Sequence, residues 1–302
     1  MKRRTLLAAS AALPYALPAA AQQPHPLRAR LGNLRLGANL ERWFPVAENN
    51  QPRRLGPSWW RQFRAAGFDH ARLFLPNVSE SGEGEDLLRL FAEAAMDATN
   101  NGIPVMLGLT DSFHQSSPWG EREWRVLEAR AAYLAARTDP EMLVLAPLNE
   151  PAFPDAASWA PMRDRLLALV RRYAPRHMLS WGGFEWCSLP SLASMPPPAD
   201  RDTIAEVHDY QGGNTAAVAR RFAAATAWRD RHGIPVLVSE LGGAQGHEEN
   251  RGAHVADLAQ SLPALRQLRL PATLWAYTHG SWWRLQDGAS ATPRQPIRDL
   301  LR

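Results

Sequence analysis

Short apolar runs of four to seven residues alternate along the chain with longer segments in which apolar residues recur every three or four positions. Short runs are typical of buried strands, whereas the longer periodicity is typical of helices with one apolar face. The pattern predicts eight strands, at 34–39, 69–74, 105–109, 142–148, 177–181, 204–208, 236–239 and 272–276.

Helical periodicity is clearest at 87–94, 127–134 and 166–170. Two helices are predicted to end at 101–104 and 232–235, where a glycine and then a proline precede the next strand. Strand–helix alternation favours a parallel sheet, and eight repeats predict a TIM (β/α)8 barrel. A doubly wound open sheet is the alternative, although no glycine-rich phosphate loop follows the first strand.

The first residues are typical of an export signal. A basic start, Met1–Arg4, precedes a small apolar stretch that ends in the alanines at 19–21. We therefore predict a signal peptide at 1–21, a single catalytic domain at 22–302, and a periplasmic or secreted protein. Arg3-Arg4 fits the twin-arginine route as well as an ordinary basic start. The apolar stretch is too short and proline-broken for a membrane span, so we expect no membrane association after cleavage.

Net charge changes once the predicted signal is removed. Loss of Lys2, Arg3 and Arg4 lowers the 34 basic residues to 31, against 30 acidic ones, so the formal charge falls from +4 to +1. Such a balance does not indicate nucleic-acid binding. Cys187 is the sole cysteine, which excludes an intrachain disulfide. We expect a monomer.

Two glutamates carry the strongest chemical signal. Glu150, within Asn149-Glu150-Pro151, ends the fourth apolar run, and Glu240 ends the seventh. In a parallel barrel the carboxyl ends of all strands meet at one mouth, where a facing pair of carboxylates can cleave a glycosidic bond. The alternative is two ordinary surface glutamates.

Other polar residues stand where a mouth is predicted. Arg72 lies in an apolar strand, where an unpaired charge is costly, and either a carboxylate in the mouth or a structural ion pair explains it. His208 and Tyr210 share one strand face, as functional residues or as core residues. Asn149 could instead only form a turn. His208 and Asp209 point to opposite faces, so we predict no metal site.

Taken together and in order, these motifs resemble glycoside hydrolase family 5, the cellulase-like barrels. The matches are an arginine at the second strand tip, Asn-Glu-Pro at the fourth, His-x-Tyr at the sixth, glutamate at the seventh and an aromatic-rich eighth strand. The resemblance implies that Glu150 is the general acid/base and Glu240 the nucleophile of a retaining mechanism. It also implies that Asn149 binds the substrate 2-hydroxyl.

The implied roles require different protonation states in the two glutamates. Arg72 and the hydroxyl of Tyr210 would lower the pKa of Glu240 and keep it ionised. Burial and the negative charge of Glu240 would raise the pKa of Glu150 and keep its proton.

Two positions depart from the family pattern. Where the third strand of the family ends in histidine, this chain has Thr110-Asp111, with His114 shortly after. At the eighth strand, Thr278 is expected in place of the tryptophan below the sugar. We predict that tryptophans after strands stack on sugar rings, with core packing as the alternative. This set includes Trp43, Trp119, Trp186, Trp275, Trp282 and Trp283.

The sequence therefore predicts a retaining hydrolase of β-glycosidic bonds that acts without a cofactor on a polysaccharide or oligosaccharide. A β-1,4-glucan is the first expected substrate and a mannan the second. A non-catalytic carbohydrate-binding barrel is the main alternative. A metal-dependent hydrolase, which a chelator would inactivate, is a third.

Overall fold

The fold is a closed parallel barrel. The computed structural model describes residues 25–40, 55–75, 85–110, 119–277, 283–286 and 291–301. Eight strands pair in chain order, and the eighth closes on the first, which excludes an open doubly wound sheet. They are β1 (Leu36–Leu40), β2 (His70–Phe74), β3 (Val105–Gly108), β4 (Leu143–Ala146), β5 (Met178–Gly182), β6 (Thr203–Asp209), β7 (Val236–Leu241) and β8 (Ala272–Leu274). Each predicted strand is confirmed, with bounds that differ by at most two residues.

Helices cover the outside of the barrel and one of its ends. They are α1 (Pro26–Leu31), α2 (Pro57–Ala65), α3 (Glu85–Asn100), α4 (Glu121–Ala135), α5 (Ala156–Tyr173), α6 (Leu189–Ser194), α7 (Thr215–His232), α8 (Arg251–Leu268) and α9 (Gln295–Leu301). Both predicted helix ends are confirmed. Gly102 and Gly233 adopt φ of +74° and +64°, a conformation that glycine reaches without steric cost.

The strands divide the apolar residues between two cores. Outward-facing side chains, such as Leu107 and Leu145, pack beneath the helices in the larger core. The residues between them, such as Met106 and Val144, face into the barrel and form a second, smaller core. This separation follows from the alternation of side chains along a strand.

Helix α1 closes the amino-terminal end of the barrel. Leu27 and Leu31 are buried and belong to the inner core. The Arg28 guanidinium donates to the Arg201 carbonyl (2.6 Å), just before β6. These leucines extend the apolar inner core at this end, where His70 and Thr273 form a buried polar contact (2.9 Å).

An irregularity in β7 changes the direction in which the Glu240 side chain points. Val207 of β6 pairs with Val238, but the next residue, His208, pairs with Glu240, so Ser239 is an extra residue on β7. Simple alternation from Val238 would give Glu240 the same outward face. The extra residue bends the strand and turns Glu240 toward the barrel axis. The Asn39 side chain, on β1 two strands away, donates to the Ser239 carbonyl (2.9 Å) and supports this bend.

The predicted signal peptide, 1–21, lies outside the described residues. Among the helices that the structure describes, none combines the length and apolar character needed to span a membrane.

We predict that Leu27→Ala lowers the free energy of unfolding by about 2–5 kcal/mol, because it leaves a cavity at a fully buried site. Arg30→Ala, on the exposed side of the same helix, is the matched control and should change it by less than about 0.5 kcal/mol. Urea unfolding of both variants measures the difference. Equal effects would mean that α1 does not seal the inner core.

Candidate active site

A cleft of about 890 Å³ lies at the carboxyl ends of the strands. Eight of the predicted site residues line it: Asn149, Glu150, Trp186, His208, Tyr210, Glu240, Trp275 and Trp283. Arg72 is buried beside the cleft and contacts two of them. Trp43 and Trp282 lie outside the described residues.

The two glutamates come together as the strand tips predict. One carboxylate oxygen of Glu150, one of Glu240 and a ring nitrogen of His208 all lie within 4.8 Å of one another. His208 Nδ1 is 2.8 Å from Glu150 Oε1 and 3.5 Å from Glu240 Oε2. The Glu150 side chain is a quarter exposed, whereas that of Glu240 is buried. The pair therefore differs in access to water.

Glu240 is held by a donor on each of its oxygens. Arg72 Nη1 donates to Oε1 (2.7 Å), and the Tyr210 hydroxyl donates to Oε2. Trp283 stacks on Tyr210, with ring centroids 5.0 Å apart. Burial and the charge of Glu240 raise the pKa of Tyr210 well above its usual range, so the phenol keeps its proton and remains a donor. This carboxylate has a fixed position.

The Arg72 guanidinium connects several strands. Nη1 also donates to Asn39 Oδ1 (3.1 Å), Nη2 donates to Asn149 Oδ1 (2.7 Å), and Nη2 lies 3.3 Å from Glu206 Oε2. Sequence reasoning missed Asn39 and Glu206. Both are polar residues inside apolar strands. Glu206 is two positions before His208, so the same period-two argument that paired His208 with Tyr210 would have found it.

The tip of β4 has a constrained backbone. Glu150 has φ of +43°, in the left-handed region that residues other than glycine seldom adopt. Thr110, at the end of β3, secures this turn: its hydroxyl donates to the Pro147 carbonyl (2.6 Å), and its own carbonyl accepts from the Asn149 amide (3.0 Å). Thr110 is buried and supports the turn. Asp111 and His114 lie outside the described residues.

The tryptophans have different environments. Trp275 follows β8 directly and lines the cleft, so a tryptophan stands beyond the eighth strand; Thr278 lies outside the described residues. Trp186, at 52% exposed, also lines the cleft, and its backbone has φ of +50°. Trp119 is buried against Trp124 and belongs to the core. The strand-end tryptophans therefore include both cleft and core residues.

The directions in which the pKa values of the two glutamates are shifted run against the sequence expectation. Burial raises the pKa of Glu240, and the interactions with His208 and Arg72 and the Tyr210 hydrogen bond offset this only in part. Burial also acts to raise the pKa of Glu150, but the His208 hydrogen bond and the charge of Arg72 outweigh it, so the net shift is downward. The difference arises because Glu150 is nearer to solvent than Glu240.

Glu150, His208 and Glu240 are close enough to share a cation. Their hydrogen bonds oppose that use, because both oxygens of Glu240 already accept from Arg72 and Tyr210. The guanidinium is itself a fixed positive charge 2.7 Å from one would-be ligand. The arrangement suits proton transfer and nucleophilic attack better than metal binding.

Comparison with known proteins gives concordant matches. The family model for cellulases of glycosyl hydrolase family 5 matches residues 58–281. Endoglucanase Cel5A from the hyperthermophilic Thermotoga maritima is 16% identical with a TM-score of 0.75, over 92% of this chain and 100% of that one. Its structures include complexes with cellobiose and mannotriose.

Two other solved structures are similar. Cellulose synthase subunit Z from Clostridioides difficile is 15% identical with a TM-score of 0.71, over 89% of this chain and 99% of that one. A broad-specificity endoglucanase from Clostridium longisporum is 14% identical with a TM-score of 0.71, over 93% of this chain and 98% of that one. No curated protein sequence matches the chain.

We predict that Tyr210→Phe raises the pKa of Glu240 by about 1 pH unit, because the hydrogen bond that it removes stabilises the ionised carboxylate. Carbon-13 NMR of protein labelled on glutamate side chains measures this value, with the signal assigned from Glu240→Gln. Tyr173→Phe is the matched control, since it removes another tyrosine–glutamate hydrogen bond, to Glu128 on the helical surface. An unmoved Glu240 titration in Tyr210→Phe would contradict the contact.

Proposed function

Because the chain belongs to glycosyl hydrolase family 5, we propose that it is a retaining hydrolase of β-glycosidic bonds in a polysaccharide or oligosaccharide. The observation that carries the proposal is the approach of Glu150 and Glu240, whose oxygens lie within 4.8 Å. Retaining pairs lie about 5–5.5 Å apart, whereas inverting pairs leave about 6.5–9.5 Å for a water molecule. The spacing supports direct attack.

In this proposal Glu240 attacks the anomeric carbon. Arg72 and Tyr210 hold both of its oxygens, so the carboxylate has little freedom to turn away from the substrate. The raised pKa of Glu240 makes it a stronger base and nucleophile than an exposed glutamate once it is ionised. The bond that forms is an ester between Glu240 and the sugar, and the glycosidic C–O bond breaks.

Glu150 then serves both steps of the reaction. A bound sugar displaces water from its quarter-exposed side chain, which raises its pKa and lets it carry the proton to the leaving oxygen. Esterification removes the negative charge of Glu240. The hydrogen bond from His208 lowers the pKa of Glu150, so Glu150 is then ionised and can act as the base that activates water. Hydrolysis of the ester restores both carboxyl groups.

Asn149 is placed to recognise the sugar at the reacting carbon. Its side-chain oxygen accepts from Arg72 (2.7 Å), which orients the side-chain amide group at the tip of β4. A donor to the 2-hydroxyl stabilises an oxocarbenium-like transition state more than the ground state. This argument supports a substrate-binding role for Asn149.

The cleft suits a chain of neutral sugars. The exposed ring of Trp186 and the ring of Trp275 offer flat apolar faces, and carboxylates and amides supply hydrogen-bonding groups. A β-1,4-glucan is the first proposed substrate and a mannan the second, supported by the cellobiose and mannotriose complexes of the Thermotoga maritima enzyme. We propose that the enzyme acts as a periplasmic or secreted monomer after removal of 1–21. Mass spectrometry of the exported protein and light scattering test these two points.

An activated 2-deoxy-2-fluoro cellobioside should trap the enzyme as a covalent ester. The fluorine slows both steps, while the good leaving group restores the first, so the intermediate accumulates. Peptide mapping by mass spectrometry should place the label on Glu240. Glu150→Gln should still be labelled, because an activated leaving group needs no acid.

On unactivated β-glucan the same Glu150→Gln variant should be slower by about 10²–10⁴-fold. A wild-type protein that binds β-glucan with neither hydrolysis nor labelling would support the carbohydrate-binding barrel instead. Loss of hydrolysis in chelator, with recovery on adding metal, would support a metal-dependent hydrolase.

We predict that Trp186→Ala raises KM for cello-oligosaccharides by about 2–10-fold, since one aromatic contact contributes about 0.5–1.5 kcal/mol. Hydrolysis of short aryl glycosides, which do not reach this ring, should change little. Trp186→Phe is the matched variant: it keeps a ring at the same unusual backbone position and should recover most of the affinity. Steady-state kinetics on a ladder of oligosaccharides measures the effect, and a uniform loss on every substrate would refute it.

A further inference from the structure

Glu206 is a buried carboxylate next to the site that the proposed mechanism does not use. It lies in β6, shares a strand face with His208, and is 2% exposed. Its Oε2 is 3.3 Å from Arg72 Nη2. On the same guanidinium, Nη1 is 2.7 Å from Glu240 Oε1. One cation therefore lies between two buried carboxylates on two strands.

A guanidinium that faces two carboxylates cannot neutralise both fully. Arg72 is 1% exposed, so little water screens its interactions with the two carboxylates. The charge of each carboxylate therefore affects how strongly Arg72 interacts with the other. This inference rests on the proposed function. We propose that Glu206 is a positioning residue that fixes the plane of the Arg72 guanidinium and weakens the interaction of Arg72 with Glu240. Glu240 is then a stronger nucleophile.

The electrostatics of Arg72 support this inference. Burial acts to lower its pKa, but the negative charge of Glu206, followed by that of Glu240, outweighs burial, so the pKa is raised. Glu206 thus supplies the largest single charge interaction that stabilises the positive charge in the barrel, and Glu240 adds a charge interaction and a hydrogen bond. A structural ion pair alone would explain why Arg72 is tolerated there. The same pair also places a second negative charge close to Glu240, and the pH dependence of activity measures its effect there.

Several titratable groups share this part of the barrel with Glu206 and act on Glu240 or Arg72. They come from β2, the tips of β4 and β5, β6 and its following loop, and β7: Arg72, Glu150, Cys187, His208, Tyr210 and Glu240. Burial raises the pKa of the Cys187 thiol, so it stays neutral. Among these groups Arg72 is the permanent cation. Without the Glu206 carboxylate, Arg72 would interact more strongly with Glu240.

The test is the pH dependence of kcat/KM for an aryl cellobioside in Glu206→Gln. Loss of a negative charge makes Glu240 easier to ionise, so its pKa falls, and the acid limb should move to lower pH by about 0.5–1 unit. Because a less basic nucleophile attacks more slowly, kcat/KM at the optimum should fall by about 1.5–3-fold. Arg72→Met should move the acid limb the opposite way, to higher pH.

Asp209→Asn is the matched control. Asp209 is also a buried acid of β6, but it pairs with Arg221 on the helix side of the barrel (2.6 Å). This variant should lower thermal stability without moving the acid limb. If Glu206→Gln fails to fold, Glu206→Asp keeps the charge but withdraws it from Arg72, and should move the limb in the same direction by a smaller amount.

The possible outcomes separate the two proposals. A wild-type enzyme that hydrolyses the substrate, together with a folded Glu206 variant whose acid limb does not move or moves to higher pH, overturns the inference alone. A wild-type protein that neither hydrolyses any β-glucan or mannan nor forms the covalent ester overturns the proposed function. A shift in Asp209→Asn as large as in Glu206→Gln would show a general effect of lost stability and would also overturn the inference.

Discussion

A single buried guanidinium, that of Arg72, organises the mouth of this barrel. It contacts side chains from β1, from the tip of β4, from β6 and from β7, so four strand ends share one cation. Taking such a charge out of water costs several kcal/mol unless partners surround it. Two of those partners, Asn149 and Glu240, are residues that the proposed chemistry requires, so the contacts that stabilise Arg72 in the barrel also fix the geometry of the cleft.

The two glutamates differ because their distances from this cation and from solvent differ. Glu240 is buried with both oxygens engaged, whereas Glu150 keeps a quarter of its side chain exposed and depends on His208. A substrate changes the surroundings of Glu150 much more than those of Glu240. The cleft thus combines one carboxyl group of fixed environment with one whose protonation responds to what is bound, which a two-step displacement uses in turn.

Much of the fold was predictable, because strand runs and helix ends are local patterns; all eight strands and both glycine stops are confirmed. Glu150 and Glu240 were placed at strand tips for the same reason. The inward aim of Glu240 was not predictable, since it depends on the extra residue Ser239, which only the pairing with β6 reveals. The pKa order also required the structure, because burial is a property of the surroundings and not of the local sequence.

The helix that closes the amino-terminal end also bears on the order in which the chain folds. The partners of α1 lie far along the sequence: His25 contacts the carbonyl of Arg176, and Arg28 that of Arg201. Closing loops of this length is entropically costly before the strands between them exist. We therefore expect α1 to dock late in folding, and until it docks the amino-terminal end of the barrel interior is exposed to solvent.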